Sequence, residues 1–277
     1  MFDILRARIH QKHRTIRFPD APPPALPDRF RGRLLIDTTL CPDGCRICAD
    51  ACPVGAITFP PERSERGTAF AGQRPQGVAT IGKPVTDLGK CLFCNDCKLA
   101  CPQNAISHSD DYRLSVRRHE HLVLESKEAL VLAEALGGEL KKLLGRSLKL
   151  RQVSAGGCGA CEADVNVLGT VGWDLGRFGI QFVASPRHAD GVLITGPVTQ
   201  NMKSALLDTY AAVAKPKIVI AVGACAISGG PYIDHAEVNN GADSVLPVDL
   251  YIPGCPPHPL TILDGLLRLL GRIPSDQ

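Results

Sequence analysis

The sequence predicts two folded units, a small α+β unit built around cysteines and a larger α/β unit with a parallel sheet. Eight of the twelve cysteines lie in two runs before residue 103, and each run ends in the dipeptide Cys-Pro. From residue 147 onwards, apolar stretches rich in Val and Ile alternate with stretches of helical periodicity, which is typical of a parallel sheet covered by helices. The 277 residues are enough for two domains of ordinary size.

Charge and hydropathy argue against two classes of function. The net charge of +3 is too small to favour binding to nucleic acid. No apolar run reaches the roughly 18 residues that a membrane helix needs, so we expect the chain not to span a membrane itself, which leaves room for a place on a complex that does. The chain does not open on a signal-peptide pattern, and cytosolic thiols stay reduced. The cysteines therefore indicate metal ligands rather than disulfides.

The second cysteine run has the spacing by which bacterial ferredoxins hold 4Fe–4S clusters, C-x2-C-x2-C-x3-C-P. In that pattern three cysteines wrap one cluster, and the fourth ligates the other cluster of the pair. The first run departs from it because three residues separate Cys41 from Cys45, and the turn-forming residues 42–44 would loop out the extra one. We therefore predict two clusters with exchanged fourth ligands: Cys41, Cys45, Cys48 and Cys101 for the first, and Cys91, Cys94, Cys97 and Cys52 for the second.

Zinc is the alternative for both runs, since C-x2-C pairs also bind zinc. A zinc site uses four ligands and gives no reason for two similar runs that each end in Pro. Residues 32–110 as a whole resemble the two-cluster ferredoxin family, and "CPVGAI" and "CPQNAI" mark an internal repeat. The resemblance implies a small ferredoxin-like α+β core that depends on its clusters and unfolds when the metal is removed.

Three further segments are predicted to be peripheral. Residues 1–31 form a basic, proline-rich arm, which is either solvated or ordered against a partner subunit or an anionic membrane face. Residues 60–84 are rich in Pro, Gly and Arg and are predicted to be a surface insertion. Residues 111–146 link the two units, and apolar periodicity over 128–144 predicts one kinked helix or two short ones.

Residues 147–277 contain the predicted parallel sheet. Its strands are expected at 148–153, 178–184, 191–195, 217–222 and 248–252, and two of its helices at 201–213 and 260–270. Three of these strands are followed by the remaining cysteines, Cys158, Cys161, Cys225 and Cys255. Because ligands collect at the carboxyl ends of parallel strands, we expect the four thiols to converge. They suffice for a third 4Fe–4S cluster, with zinc as the alternative.

This half of the chain resembles the cluster-bearing small subunit shared by respiratory complex I and membrane-bound nickel–iron hydrogenases. The resemblance lies in "GGCGACEADVNVL", "FGIQFVASPRHADGVLITGPVTQNM", "PKIVIAVGACAISGG" and "YIPGCPPHPLTILDGL". It implies a flavodoxin-like α/β fold and one 4Fe–4S cluster at the interface with a large catalytic subunit, with the same four cysteines as ligands. The complex I members carry adjacent cysteines at the first position, whereas the C-x2-C of this chain is shared with the hydrogenase and formate hydrogenlyase branch.

Three more residues are candidates near the third cluster. Where the family has Glu three residues after the second cysteine, this chain has Asp164, which either helps to pass protons or is an ordinary acid in the first turn of a helix. Arg187 and His188 resemble the family's loop beside the terminal cluster, where a cation would favour the reduced form. A plain surface loop is the alternative.

These observations predict an electron-transfer subunit with three 4Fe–4S clusters in an oxidoreductase complex whose catalytic centre lies on a partner. The partner is expected to be a nickel–iron hydrogenase large subunit or a complex I 49 kDa-like subunit, with membrane subunits reached through the complex at the inner, cytoplasmic face. No nucleotide loop or dinucleotide fingerprint occurs, so nucleotide and flavin binding are not expected. The alternatives are the same relay in a quinone-reducing or other assembly without nickel, and a free soluble carrier.

Overall fold

The computed structural model of the chain describes residues 2–12, 14–60, 82–125 and 128–274. Most of the predicted insertion at 60–84 lies outside the described residues. The strands are β1 (Leu34–Ile36), β2 (Ile57–Thr58), β3 (Val85–Asp87), β4 (Ile106–His108), β5 (Val123–Glu125), β6 (Leu148–Ser154), β7 (Ile180–Phe182), β8 (Gly191–Thr195), β9 (Ile218–Val222) and β10 (Leu250–Ile252). The α-helices are α1 (Phe2–Gln11), α2 (Ile47–Asp50), α3 (Asp96–Ala100), α4 (Gly138–Leu144), α5 (Ala160–Val167), α6 (Gln200–Ala212), α7 (Ala224–Ser228) and α8 (Pro259–Leu269).

Five strands form the predicted parallel sheet, in the spatial order β7-β6-β8-β9-β10. Each overlaps the strand expected from the sequence. The central strands β8 and β9 are buried along their whole length. Successive residues of β8 belong to different cores, since Leu193 packs in one apolar cluster and Val192 and Ile194 in the other. Both faces of the sheet are therefore covered, which explains why these strands are almost entirely apolar.

Helix α8 packs within the first of these cores and is buried on all sides. Its apolar residues surround one ion pair, in which the guanidinium of Arg268 lies 2.8 Å from the carboxylate of Asp264. The pairing satisfies a charge that would otherwise be costly to bury. The helix begins shortly after Cys255, so its rigid packing fixes the end of the loop that carries this cysteine.

The unit that carries the two cysteine runs is small and of the α+β type. Strands β1 and β4 pair in antiparallel orientation, and β2, β3 and β5 form a second antiparallel sheet. Its apolar core is small, and the buried cysteines belong to it. The core consists of Leu34, Ile36, Cys48, Ile57, Cys97 and Ile106. A core of this size is consistent with a unit that needs bound metal for its stability.

The two units are joined by hydrogen bonds as well as by the chain. Ser228 of α7 donates its hydroxyl to the carbonyl of Gly89 at 3.0 Å. His119 lies 2.9 Å from the carboxylate of Asp243, and this hydrogen bond raises the pKa of His119. Because Gly89 lies just before the second cysteine run in sequence, these contacts hold that run against the parallel-sheet unit.

The prediction of helix over residues 128–144 is wrong for the first half of that range. Helix α4 begins only at Gly138, and residues 128–137 before it have no regular secondary structure. Ala133 donates its backbone N–H to Ser115 at 2.8 Å, and Leu136 donates to Leu269 at 2.9 Å. The apolar residues of this stretch are therefore buried by long-range backbone pairing and not by a helix. Strand β5, from the same predicted linker, pairs with β3, so this part of the linker extends the sheet of the cysteine-run unit.

The amino-terminal arm divides into two parts. The first part, α1, has no buried residue. The second part packs against the chain's own folded units, since Phe18 is only 5% exposed and its ring meets that of Tyr112 edge-on at 5.9 Å. Phe30 meets His258 in the same way at 5.7 Å. These aromatic anchors explain why residues 14–31 are not a solvated arm. Within the described ranges, no helix has the length and apolarity needed to cross a membrane.

Candidate metal centres

The four thiols predicted for the first cluster lie close enough together to interact. Cys48 is on α2, and Cys101 follows α3, which packs against α2. Burial raises the pKa of the Cys41 thiol, and the thiols of Cys45 and Cys101 raise it further. The pKa of Cys48 is raised to about 11, first by burial and then by Cys41 and Cys45. A set of thiols that disfavour one another's ionisation is one that a bound cationic centre would stabilise.

The second set combines three cysteines of the second run with Cys52 of the first. Burial raises the pKa of Cys91 to about 12, and the thiols of Cys97, Cys52 and Cys94 add to it. The pKa of Cys97 is raised to about 11, again by burial first and then by Cys94, with Cys52 among the further causes. The exchange of fourth ligands that the spacing predicts is thus consistent with the position of these thiols.

Two backbone N–H groups lie close to sulfur atoms of the second set. Phe93 and Asn95 have φ values of +53° and +87°, in the left-handed region, so the chain winds tightly between Cys91 and Cys97. The N–H of Phe93 lies 3.4 Å from the sulfur of Cys91. The N–H of Ala56 lies 3.2 Å from the sulfur of Cys52. Such N–H groups stabilise negative charge on sulfur.

The third set lies where parallel-sheet topology predicts it. Cys158 and Cys161 follow β6, and Cys255 follows β10. Cys225 is the second residue of α7, the helix that follows β9. Burial is the largest cause of a raised pKa at Cys161, followed by the thiol of Cys225 and, among further causes, those of Cys255 and Cys158. Burial also raises the pKa of Cys225 to about 11, with Cys255 and Cys158 as the next causes. The four thiols therefore converge at one edge of the sheet.

Two glycines leave room for sulfur at this edge. A Cβ on Gly223 would lie 2.5 Å from the sulfur of Cys161, and one on Gly230 would lie 2.8 Å from the sulfur of Cys225. Both distances are below normal contact. Gly223 also has a φ of +90°, which only glycine adopts without strain. The backbone here is shaped around the thiols.

We expect Gly223→Ala to displace Cys161 and to lower the iron content of the purified chain by about a third. The change combines a contact with sulfur and backbone strain of about 1–3 kcal/mol. Gly159→Ala is the matched control, because Gly159 has a similar φ of +86° but nothing lies within 4 Å of its added Cβ. Equal iron loss in the two variants would attribute the effect to strain alone.

Glu162 is a functional candidate that the sequence reasoning missed. It follows Cys161 directly, and its carboxylate oxygen accepts hydrogen bonds from the hydroxyls of Ser154 at 2.5 Å and Thr195 at 2.7 Å. Burial opposes its ionisation, but these two donors outweigh burial, so its pKa is lowered. The carboxylate also raises the pKa of the Cys161 and Cys225 thiols. Glu162 thus places a negative charge beside the third set.

Asp164 lies in a cavity of about 320 Å³ between the two units. Arg31 of the arm, Phe93 of the second cysteine run, and Cys255 and His258 of the last loop are among the other lining residues. Burial raises the pKa of Asp164. The predicted candidate is therefore beside a ligand of the third set, and the cavity reaches the loop of the second set.

Arg187 and His188 occupy a short 3₁₀ helix, Pro186–His188, between β7 and β8. The loop leaves the sheet where the N–H of Val183 donates to the carbonyl of Leu150. It returns where the N–H of Asp190 donates to the carbonyl of Lys149. Both points are near the beginning of β6, whereas the third set follows its end. The structure does not bring these two side chains among the thiols, and their predicted effect on the cluster stays a prediction.

The donor chemistry of the three sets fits iron–sulfur clusters. All twelve cysteines are free thiols in the structure. Cysteine sulfur is the usual ligand of 4Fe–4S clusters, and each set supplies the four that one cluster uses. In the part of the chain that the structure describes, no group of three or more His, Cys, Asp or Glu is arranged to hold a metal ion, and the three ligand sets stay a prediction.

Comparison with known proteins gives matches in both halves of the chain. The family described as "NADH ubiquinone oxidoreductase, 20 Kd subunit" matches residues 158–269, and the 4Fe-4S dicluster domain matches residues 41–105. The first match begins at Cys158, the first cysteine of the third set. The second contains all eight cysteines of the other two sets. Both resemblances predicted from the sequence are confirmed.

Three curated relatives illustrate the range of the similarity. The probable membrane-bound hydrogenase subunit mbhJ of Pyrococcus furiosus is 39% identical over 135 residues, which are 49% of this chain and 81% of that protein. Formate hydrogenlyase subunit 7 of Escherichia coli is 43% identical over 50% of this chain, and the match spans only 54% of that protein. An NADH-quinone oxidoreductase subunit of Carboxydothermus hydrogenoformans is 46% identical over 42% of this chain and 71% of that protein. The chain therefore belongs to the NADH ubiquinone oxidoreductase 20 kDa subunit family and carries a 4Fe–4S dicluster domain ahead of it.

Proposed function

We propose that this chain is a three-cluster electron-transfer subunit of a membrane-bound hydrogenase or formate hydrogenlyase-like complex. The proposal is supported by twelve cysteines, enough for three sets of four, and by the effect of neighbouring thiols on one another's pKa within each predicted set. The second and third sets lie near each other, since Phe93, which precedes Cys94, lines the same cavity as Cys255. The Cys94 thiol is also among the causes that raise the pKa of Cys255. One polypeptide thus contains an uninterrupted series of ligand sets from the dicluster domain to the last loop.

When bound, each 4Fe–4S cluster accepts and releases one electron at a time. The chain's own residues set the surroundings of that step. The N–H groups of Ala56 and Phe93 stabilise negative charge at the second set, which favours reduction there. The ionised carboxylate of Glu162 has the opposite effect at the third set. Burial of Cys48 and Cys97 excludes water from the inner sides of the first two sets.

The parallel-sheet unit is assigned to the flavodoxin-like type on the basis of its strand order. Numbered within that unit, the spatial order is 2-1-3-4-5, which is the order of flavodoxin-like sheets. In such folds ligands bind outside the carboxyl ends of the strands. The third set lies at that edge, which supports an interface with a catalytic large subunit there.

The hydrogenase branch is favoured by the C-x2-C spacing of Cys158 and Cys161. A complex I-like assembly without nickel is the second candidate, favoured by the similarity to the NADH-quinone oxidoreductase of Carboxydothermus hydrogenoformans. In either case we place the chain at the cytoplasmic face of the membrane, where its partners are a large catalytic subunit and, through the complex, membrane subunits.

The metal content of the native complex, purified without oxygen through a tag on this chain, tests the proposal. Nickel at about one per complex establishes the hydrogenase type. Iron for three clusters or more without nickel establishes the second candidate. A stable monomer in gel filtration that retains all its iron, with no copurifying subunit, would instead identify a free carrier.

Arg31 is expected to tune the second cluster. Its guanidinium donates to the carbonyl of Phe93, within the loop between Cys91 and Cys94. Arg31→Gln should lower the midpoint potential of that cluster, by up to about 60 mV for a tenfold effect on one electron, because a nearby cation stabilises added negative charge. A redox titration followed by EPR measures the shift. Arg33→Gln is the control, since Arg33 donates to Glu128 instead; the same shift in both variants would contradict a local effect.

A further inference from the structure

Helix α1 presents an unusual number of exposed apolar side chains. Phe2 is 86% exposed, Ile4 77%, Leu5 58% and Ile9 69%. These are four of the large apolar side chains with the greatest exposure in the described ranges, and all lie within eight consecutive residues. The helix has only ten residues, and helices this short are marginal in water without a surface to pack against.

The four side chains share one side of the helix. At 100° per residue they fall within an arc of about 160°, whereas Ala7 and His10 fall on the opposite side. Arg8 lies inside the apolar arc and Arg6 borders it. Long basic side chains in these positions can bury their stems along the apolar surface while the charged ends reach outward.

The charge around the helix is positive. Residues 2–14 contain Arg6, Arg8, Lys12 and Arg14 against the single acid Asp3. An apolar face combined with bordering cations is the pattern of helices that lie in the interface of an anionic bilayer. A neutral apolar protein groove would match the apolar face but would leave the cations without partners.

The segment that follows the helix is fixed to the folded chain. Ile16 donates its backbone N–H to the carbonyl of Gly172 at 2.8 Å, and the hydroxyl of Thr15 donates to the carbonyl of Val171 at 3.1 Å. Residues 16–30 then pack along the two units, as the buried ring of Phe18 shows. A surface bound by α1 would therefore be held at a defined corner of the protein.

We propose that α1 is a docking helix for an anionic lipid surface, in which Phe2, Leu5 and Ile9 insert into the bilayer interface and the basic residues meet lipid phosphates. The inference rests on the peripheral membrane placement proposed above and names the element that makes the contact. It assigns the membrane contact to α1 alone, because the rest of the arm is packed on the chain itself.

The test uses the full chain with reconstituted clusters and vesicles of equal parts phosphatidylglycerol and phosphatidylcholine. The chain is expected to cosediment with these vesicles and to bind more than tenfold more weakly to pure phosphatidylcholine. Leu5→Gln and Ile9→Gln together should lower binding at least tenfold. Ala7→Gln is the matched control on the opposite side of the helix and should change binding less than twofold.

Three results would overturn the proposal. The first is a wild-type chain that stays in the supernatant, and the second is equal loss in the Leu5 and Ala7 variants. The third combines two observations: the wild-type chain binds no vesicles, and the Leu5→Gln, Ile9→Gln chain is lost from the native complex. That result would assign the apolar face of α1 to a protein subunit. Iron content, measured on the same samples, separates these results from a failure of the three-cluster assignment.

Discussion

Replacing Cys225 by serine is expected to remove the third cluster, about four of about twelve irons per chain, and to leave the other two clusters in place. Cys225 lies at the start of α7, where burial raises its pKa and the thiols of Cys255 and Cys158 are its neighbours. A serine hydroxyl is a poor ligand for iron at neutral pH, so the site would keep only three thiols. Iron and sulfide analysis of chain purified without oxygen, with EPR of the reduced sample, measures the loss.

Ser228→Ala provides the control for this variant. Ser228 lies in the same short helix, is buried, and bonds to Gly89 of the cysteine-run unit. Its loss should weaken the junction between the units without removing iron. If Cys225→Ser lost all three clusters, the two units would not bind their clusters independently. If it kept twelve irons, Cys225 would not be a ligand.

The match to the dicluster family was predictable because iron–sulfur ligation leaves a local pattern in the sequence, whereas the assignment of each cysteine to a cluster stays a prediction. The two-residue gaps between Cys91, Cys94 and Cys97 let one short loop bind a single cluster. This sequence spacing does not depend on the rest of the fold. The buried strands β8 and β9 were predictable for a similar reason. Both of their faces are covered, so nearly every position is apolar and the strands are rich in Val and Ile.

The segment over 128–136 could not be predicted in this way. Leu130, Ala133 and Leu136 have helical spacing, but Leu130 packs against one core and the other two against the other. Their burial is decided largely by strands and helices distant in sequence. Glu162 was missed for a related reason, since its partners Ser154 and Thr195 come from the ends of two neighbouring strands.

Exchange of the fourth ligand between the first two clusters leads to a prediction with two reciprocal variants. Cys52→Ala should damage the cluster of the second run, because Cys52 is among the thiols that raise the pKa of Cys91 and Cys97. Cys101→Ala should damage the cluster of the first run, because Cys101 raises the pKa of Cys41. Each change removes one thiol in four, so we expect loss of the affected cluster, or its conversion to a three-iron form.

The two clusters can be told apart by their surroundings. Arg31 donates to the loop of the second set, so Arg31→Gln first identifies which EPR signal belongs to that cluster. Cys52→Ala should then abolish that signal and Cys101→Ala should spare it. The opposite result would mean that each run supplies all four ligands of its own cluster. Such an arrangement requires Cys52 to turn toward Cys48, whereas its sulfur accepts the N–H of Ala56 and lies with the second set.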